Sequence, residues 1–364
     1  MNRDSGESPV SEKKHFKFQI PKTGEIVVYR PMSAADFAKV EQLTKEANFE
    51  VGIETLQIYY ETSPKYWEVV ENANGDLVCL KAANMLSADL VYGYNIVVRE
   101  DYKTLGVAQT RNFQLRFIDD CQQNLLSSAN GNSMARWPDL FRFVFNRKLG
   151  IYGRITRAAL ETFQPTTILA MAADGDVEYN SVTIEDANNG TAVGERNLQL
   201  IIEFDRKLLK YDRSVFLRKW TKYETRTANL AAANENRRLV AMTQVAKEAG
   251  EILGYGSVRL ISTTNDYQLT PLYARNDYCA AVLLKSLLET LFHQNPALLL
   301  QNTAELPVYM PILAKRTLML RSAAFFNLRQ IEWEYQAAKT GVAAEFMKNI
   351  DTELVYCTHE FWPV

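Results

Sequence analysis

Residues 97–108 read VVREDYKTLGVA. Two β-branched apolar residues run into a charged turn, a lysine and a glycine follow, and a helix-like stretch begins at once. That order has a chemistry. A helix N-terminus holds several unpaired backbone N–H groups and about half a positive charge. A turn feeding straight into a helix therefore makes a cradle for an anion. Gly106 leaves room for an approaching oxygen, Ala108 keeps the next close position small, and Lys103 adds a cation. The backbone of Lys103, Thr104, Leu105, Gly106, Val107 and Ala108 is the expected holder of a phosphate. The strand before it, ending at Val97 and Val98, can offer its edge to an extended ligand by strand addition. A bare strand-to-helix turn, with Gly106 only relieving a tight backbone, is the competing reading of the same residues.

Little else in the chain offers chemistry. His15, His293 and His359 are the only histidines, and none stands at metal-ligand spacing from another His or a Cys. Neither HExxH nor GxSxG occurs, which excludes the common zinc and serine hydrolase patterns. Cys79, Cys121, Cys279 and Cys357 are scattered, as expected of reduced thiols in a cytosolic protein. The net charge of −2 comes from 41 basic and 43 acidic residues, interspersed, so neither a nucleic-acid surface nor a polybasic membrane anchor is expected. No apolar run reaches the ~18 residues of a membrane span. Tyr92 and Tyr94 alternate along the strand before the turn. Asp205, Asp212 and Arg213 read as structural hydrogen-bonding and capping residues.

The elements that must position the turn follow from periodicity. A length of 364 residues suggests about two domains. After a polar leader over 1–14, expected to be disordered, EIVVYRPMS alternates as a strand and SAADFAKVEQLTKEA follows as an amphipathic helix. Ser33 is its expected N-cap, with Asp36 in the first turn. GIETLQIYYETSP is a second helix. KYWEVVENANGDLVCLKAANML reads as two strands joined at Asn74-Gly75-Asp76, and SADLVYGYNIVV is the strand that enters the turn. VAQTRNFQLRFIDDCQ and NGNSMARWPDLFRFVFNRKLG are expected helices. The second half repeats the plan. LQLIIEFDRKLL is expected as a strand, YDRSVFLRKWTKYE as a helix, and RRLVAMTQVAKEAGEILGYGSVRLIS as a hairpin. DYQLTPLYA, LPVYMPI, RQIEWEYQAA and ELVYCTHEFW are further strands, with helices at YCAAVLLKSLLETLF and LAKRTLMLRSAAFF.

KTLGVA, placed after the strand GYNIVV, resembles the acetyl-coenzyme A pyrophosphate loop of the GNAT N-acetyltransferases, Q/R-x-x-G-x-G/A. FNRKLGI (145–151) is similar to the late GNAT element (Y/N)-x-K-L-G-F. IIEFDRKLLKYDRSVFLRKW with GYGSVRLISTTNDYQLTPLYARNDYCAAVLLKSLL resembles the C-terminal domain of the YitH-type tandem acetyltransferases. Together the resemblances cover most of 25–362. They imply an α+β chain of two GNAT-like domains, each a twisted mixed, mostly antiparallel sheet flanked by helices. The expected division is 15–163 for the N-terminal domain, 164–197 for a connecting segment, and 198–364 for a degenerate C-terminal copy.

The resemblance further implies acetyl-coenzyme A as cosubstrate and direct acyl transfer to a primary amine, on a small molecule or peptide. Val97 and Val98 would offer backbone to the pantetheine arm, beside a β-bulge, and residues 103–108 would hold the pyrophosphate. Tyr94 and Glu54 are the candidate catalytic residues, Glu54 bordering the acceptor cleft. Asn146 stands where many members carry a tyrosine that protonates the leaving sulfur, and an amide is no such acid; it remains a candidate cofactor contact. In the second copy Ala281 matches Gly106, with no basic partner before it. A GNAT-fold module that binds without catalysing is the alternative. A monomer or homodimer is expected.

Overall fold

The computed structural model describes residues 15–47, 52–64, 67–87, 90–105, 107, 150–156, 182–210, 212–227, 237–261, 266–296, 298, 305–312, 326–331 and 354–357. The first half forms a five-stranded antiparallel sheet in chain order: β1 (Phe16–Gln19), β2 (Ile26–Pro31), β3 (Trp67–Glu71), β4 (Leu77–Ser87) and β5 (Leu90–Val98). Between β2 and β3 lie α1 (Phe37–Glu46) and α2 (Ile53–Thr62). The expected turn joins β3 to β4, with Gly75 at φ +82°. Glycine alone takes that conformation without a side-chain clash.

Entry into α1 is fixed by charge. The backbone N–H and hydroxyl of Ser33 both donate to Asp36, at 2.8 and 2.9 Å. Arg30 grips both oxygens of the same carboxylate at 2.8 and 2.7 Å and reaches Glu71 at 3.0 Å. The Arg30 guanidinium pulls Asp36 down from 3.8 to about 2 despite opposing burial. A carboxylate depressed in the folded state adds stability that is present above its unfolded value and lost as pH falls through the folded one. Asp36→Asn is expected to cost about 2 kcal/mol near pH 6. The difference from the parent should shrink between pH 4 and pH 2, which urea unfolding across that range would read.

The second half builds a nine-stranded sheet of order β13-β6-β12-β14-β11-β10-β9-β7, with β8 also paired to β9. Its strands are β6 (Gly150–Thr156), β7 (Thr183–Asp186), β8 (Glu224–Thr227), β9 (Arg237–Glu248), β10 (Glu251–Ile261), β11 (Asp266–Ala274), β12 (Glu305–Ile312), β13 (Phe326–Ile331) and β14 (Val355–Cys357). Its helices are α3 (Ala192–Leu209), α4 (Ser214–Trp220) and α5 (Asp277–Gln294). The chain is α+β, two sheets with helices between and beside them.

One expectation meets a correction. LQLIIEFDRKLL is helix, not strand: Leu198, Ile201, Ile202, Asp205, Leu208 and Leu209 are buried at helical spacing along α3. Thr191 caps it by accepting from the Gly194 amide at 3.0 Å, and Lys210 closes it in the left-handed region. The larger sheet also takes in strands from 15–163 and from 164–197. β6 lies between β12 and β13, and β7 pairs with β9. A strand has two hydrogen-bonding edges, and its own sequence does not say which sheet will take them. Of the helices expected over 107–122, 130–150 and 313–326 only Val107, Gly150 and Phe326 are described, Gly150 opening β6 and Phe326 opening β13; the rest, and the leader, lie outside the described residues.

One core serves both halves. Val40, Leu43, Leu56 and Tyr59 of α1 and α2 share it with Trp67, Leu80 and Val97 of the first sheet. Ile201, Phe204, Phe216 and Trp220 of α3 and α4 join it with Tyr255 and Tyr273 of the second. Tyr59 stacks on Phe216 with ring centroids 5.4 Å apart, and Lys219 meets Glu61 at 2.6 Å. The opposite face of the first sheet carries Tyr29, Val78, Cys79, Val98, Tyr102 and Val107. α5 covers the far face of the second sheet.

Candidate active site

β5 is the last strand in the order of its sheet. It pairs with β4 along one edge, and among the described residues no strand takes the other. Val97 and Val98 pair with Leu80 and Cys79, so their side chains turn to opposite faces and both are buried. Further up the strand the register slips: Tyr94 faces Ala83 and Tyr92 faces Asn84, leaving Gly93 as an extra residue. This is a β-bulge. It bends the strand and frees backbone groups from the ladder.

After Val98 the Arg99 amide still donates to the Val78 carbonyl at 3.0 Å. The chain then winds into a 3-10 segment, Glu100–Leu105. The first hairpin holds that segment in place. Lys22 Nζ donates to the Thr104 carbonyl at 2.8 Å, and the Tyr29 hydroxyl donates to the Val107 carbonyl at 2.9 Å. The Tyr102 hydroxyl lies 2.8 and 2.9 Å from the two oxygens of Glu25. Burial and this carboxylate both push the Tyr102 hydroxyl above its ordinary value, so it stays a donor. The Arg99 guanidinium packs over the Tyr102 ring, 4.8 Å from its centre. These anchors use carbonyls and side chains.

The Tyr102 amide donates to the Arg99 carbonyl at 2.9 Å, the i to i−3 pattern of a 3-10 segment. Lys103 is ion-paired with Glu100. Gly106, Ala108 and Asn146 lie outside the described residues, as does the side chain of Tyr94. Glu54 sits half-buried in the first turn of α2. Its charge acts on Arg259 of β10, whose buried guanidinium is held down to about 10 by burial, with Glu224, Tyr59 and Glu54 opposing. Glu54 thus faces the seam between the halves.

Lys22, Glu25 and Tyr102 position the turn and were not singled out from sequence. Lys22 and Glu25 are far from the turn in the chain. Only the pairing of β1 and β2 with the rest of the sheet carries them there. No group of His, Cys, Asp and Glu that could hold a metal occurs among the described residues.

Residues 201–300 match the family model described as acetyltransferase (GNAT) domain. The second half carries a GNAT domain. No curated protein matches the chain. Among solved structures it is similar to a tandem GNAT protein from the clavulanic acid biosynthesis pathway, solved without acetyl-coenzyme A. That pair is 12% identical at TM-score 0.46, covering 84% of this chain and 97% of the other. It is also similar to a GCN5-related N-acetyltransferase from Sphaerobacter thermophilus, 12% identical at TM-score 0.45, covering 84% and 93%. These likenesses are remote, and the assignment of the GNAT domain rests on the family match.

Proposed function

We propose that the first half is a second, cosubstrate-binding GNAT unit, and that the protein is an acetyl-coenzyme A-dependent N-acetyltransferase acting on a primary amine. The observation that carries this reading is the bulged end strand. Gly93 breaks the ladder of β5, Val97 and Val98 follow on a strand whose second edge no strand takes among the described residues, and the anchored turn comes next. An extended arm fits such an edge by strand addition, and a diphosphate fits a turn that ends by presenting amides. Bound acetyl-coenzyme A would supply an activated acetyl thioester. The chain's part is to align it along Val97 and Val98, to hold its phosphates on the turn over residues 103–108, and to bring an amine beside it. Tyr94, next to the bulge, and Glu54 are the residues proposed to handle the acceptor and its proton. The acceptor is a small molecule or a peptide, and the setting is the cytoplasm, which agrees with the free buried thiols of Cys79 and Cys279. None of the described helices is long and apolar enough to cross a membrane.

One observation favours a second reading. Lys103, the expected cation of the turn, is already satisfied by Glu100, which suits a module that binds an acyl carrier weakly and does not turn it over. Thiol release from acetyl-coenzyme A against a panel of primary amines separates the two. The enzyme reading expects release with at least one amine, reduced at least tenfold in Tyr94→Phe or Glu54→Gln. Binding seen by titration calorimetry without release on any amine supports the module. No binding at millimolar ligand rejects both.

A further inference from the structure

The second half contains its own wedge between strands. β11 and β12 run parallel and are paired at Tyr267 with Val308 and Gln268 with Tyr309. Further along they part, and β14 lies between them. Cys357 pairs with Leu272 on one side and with Ile312 on the other, and Val355 pairs with Tyr273. The opening is one strand wide, about 5 Å more than a direct pair.

The place of this opening in the repeat gives it meaning. When PLYARNDYCAAVLL is laid on IVVREDYKTLGVAQ, Leu272 and Tyr273 fall on Val97 and Val98, and Ala281 on Gly106. β11 also carries a bulge just before this point, where Thr270 and Pro271 oppose the single Ser257. β14 therefore occupies, in the second copy, the backbone edge that the proposed function gives to a pantetheine arm in the first. The helix that follows is closed as well. Asn276 Oδ1 accepts from the Cys279 amide at 2.9 Å, taking an N-terminal donor of α5. Asp277 places a carboxylate in the first turn of α5 and accepts a hydrogen bond from the Tyr356 hydroxyl. Tyr356 itself is buried in the core under α5.

We infer that the wedge of the second copy is a strand-binding slot whose occupant is this chain's own segment Val355–Cys357, latched by Tyr356 on Asp277, so that one acyl-coenzyme A binds per chain. The slot stands on the pairing alone. The stoichiometry also rests on the proposed function. A diphosphate meets a capped amide and a carboxylate at the head of α5, and an extended arm meets a strand already in place.

Hydrogen–deuterium exchange on the full chain tests the slot without any ligand. Peptides covering 266–274 and 354–357 are expected to exchange slowly, and Tyr356→Phe, which keeps the ring and removes the latch, should speed exchange in 354–357 by about tenfold. Fast exchange of 354–357 in the parent, or no change in the variant, overturns the slot. With coenzyme A added, calorimetry should saturate at one equivalent and exchange should fall around 90–107 but not at 266–274. Two equivalents, or displacement of 354–357 by coenzyme A, overturns the inference. Absence of any binding rejects the proposed function, and the ligand-free exchange still decides the slot.

Discussion

Asp205→Ala is expected to destabilise the chain by about 3–5 kcal/mol, the range for removing one partner of a buried ion pair. Asp205 on α3 and Arg213, just ahead of α4, have side chains only 1% exposed. Arg213 Nε donates to Asp205 at 2.6 Å, its second nitrogen also reaches that carboxylate, and the Tyr255 hydroxyl does the same. Arg213 further donates to Tyr255 at 3.0 Å. Burial works against charge here, yet the Asp205 carboxylate, with Tyr255 and Tyr273, keeps the Arg213 guanidinium well above its ordinary value. Alanine at 205 would leave that cation buried without its counter-charge. The group ties the helix pair α3 and α4 to β10 in the core shared by both halves, so the loss should appear as one lowered denaturant midpoint. Asp205→Leu combined with Arg213→Met should recover most of it, because neither buried charge then remains. A cost below about 1 kcal/mol for Asp205→Ala would show that the pair does not hold α3 and α4 to β10.

The same cluster shows what the sequence could convey. Asp205 and Arg213 were legible as hydrogen-bonding residues because buried polar groups need partners, but α3 itself was misread. Its apolar positions include Leu200, Ile201 and Ile202 in succession, and a window opened at residue 198 sees an apolar run with two β-branched residues. The helical spacing emerges only when the window starts at Ala192, behind the Asn-Gly-Thr stretch that caps it. Hairpins were easier. Gly75 and the Ala249-Gly250 pair, both residues at positive φ, mark turns that few other residue types can make. The strand and turn from Val97 onward were legible because alternation, charge and glycine all fall within a dozen residues. A β-bulge beside Val97 and Val98 was expected only through family resemblance, and its place at Gly93 came from the pairing of β4 with β5. The anchors Lys22 and Glu25, the crossing of β6 into the larger sheet and the filling of the second wedge by β14 were not legible. Each depends on which strand edges meet across long stretches of chain, and no local pattern encodes that choice.

Gly106→Glu is expected to weaken acetyl-coenzyme A binding by at least about a hundredfold, or about 2.7 kcal/mol, while the unfolding midpoint stays near that of the parent. The reason lies in what surrounds the position. On one side, Leu105 packs against the cluster that includes Tyr29 and Val98, and on the other, Val107 is fully buried and its carbonyl is held by Tyr29. Lys22 fixes the carbonyl of Thr104, and Glu25 holds Tyr102. The chain on both sides is pinned by bonds that do not involve residue 106, so it has little freedom to move aside for a new side chain. Glutamate there would put volume and negative charge in the middle of the proposed phosphate turn, and like charge repels a diphosphate strongly at short range. Gly106→Ala should be milder, losing affinity by severalfold through size alone. Lys22→Ala and Lys103→Ala should each lose only a few-fold, since both ammonium groups are exposed and screened. Calorimetric titration of the four variants distinguishes a built phosphate turn from a bare connection. If Gly106→Glu bound as the parent does, the diphosphate would have to lie elsewhere, and the bulged edge of β5 would lose its proposed role with it.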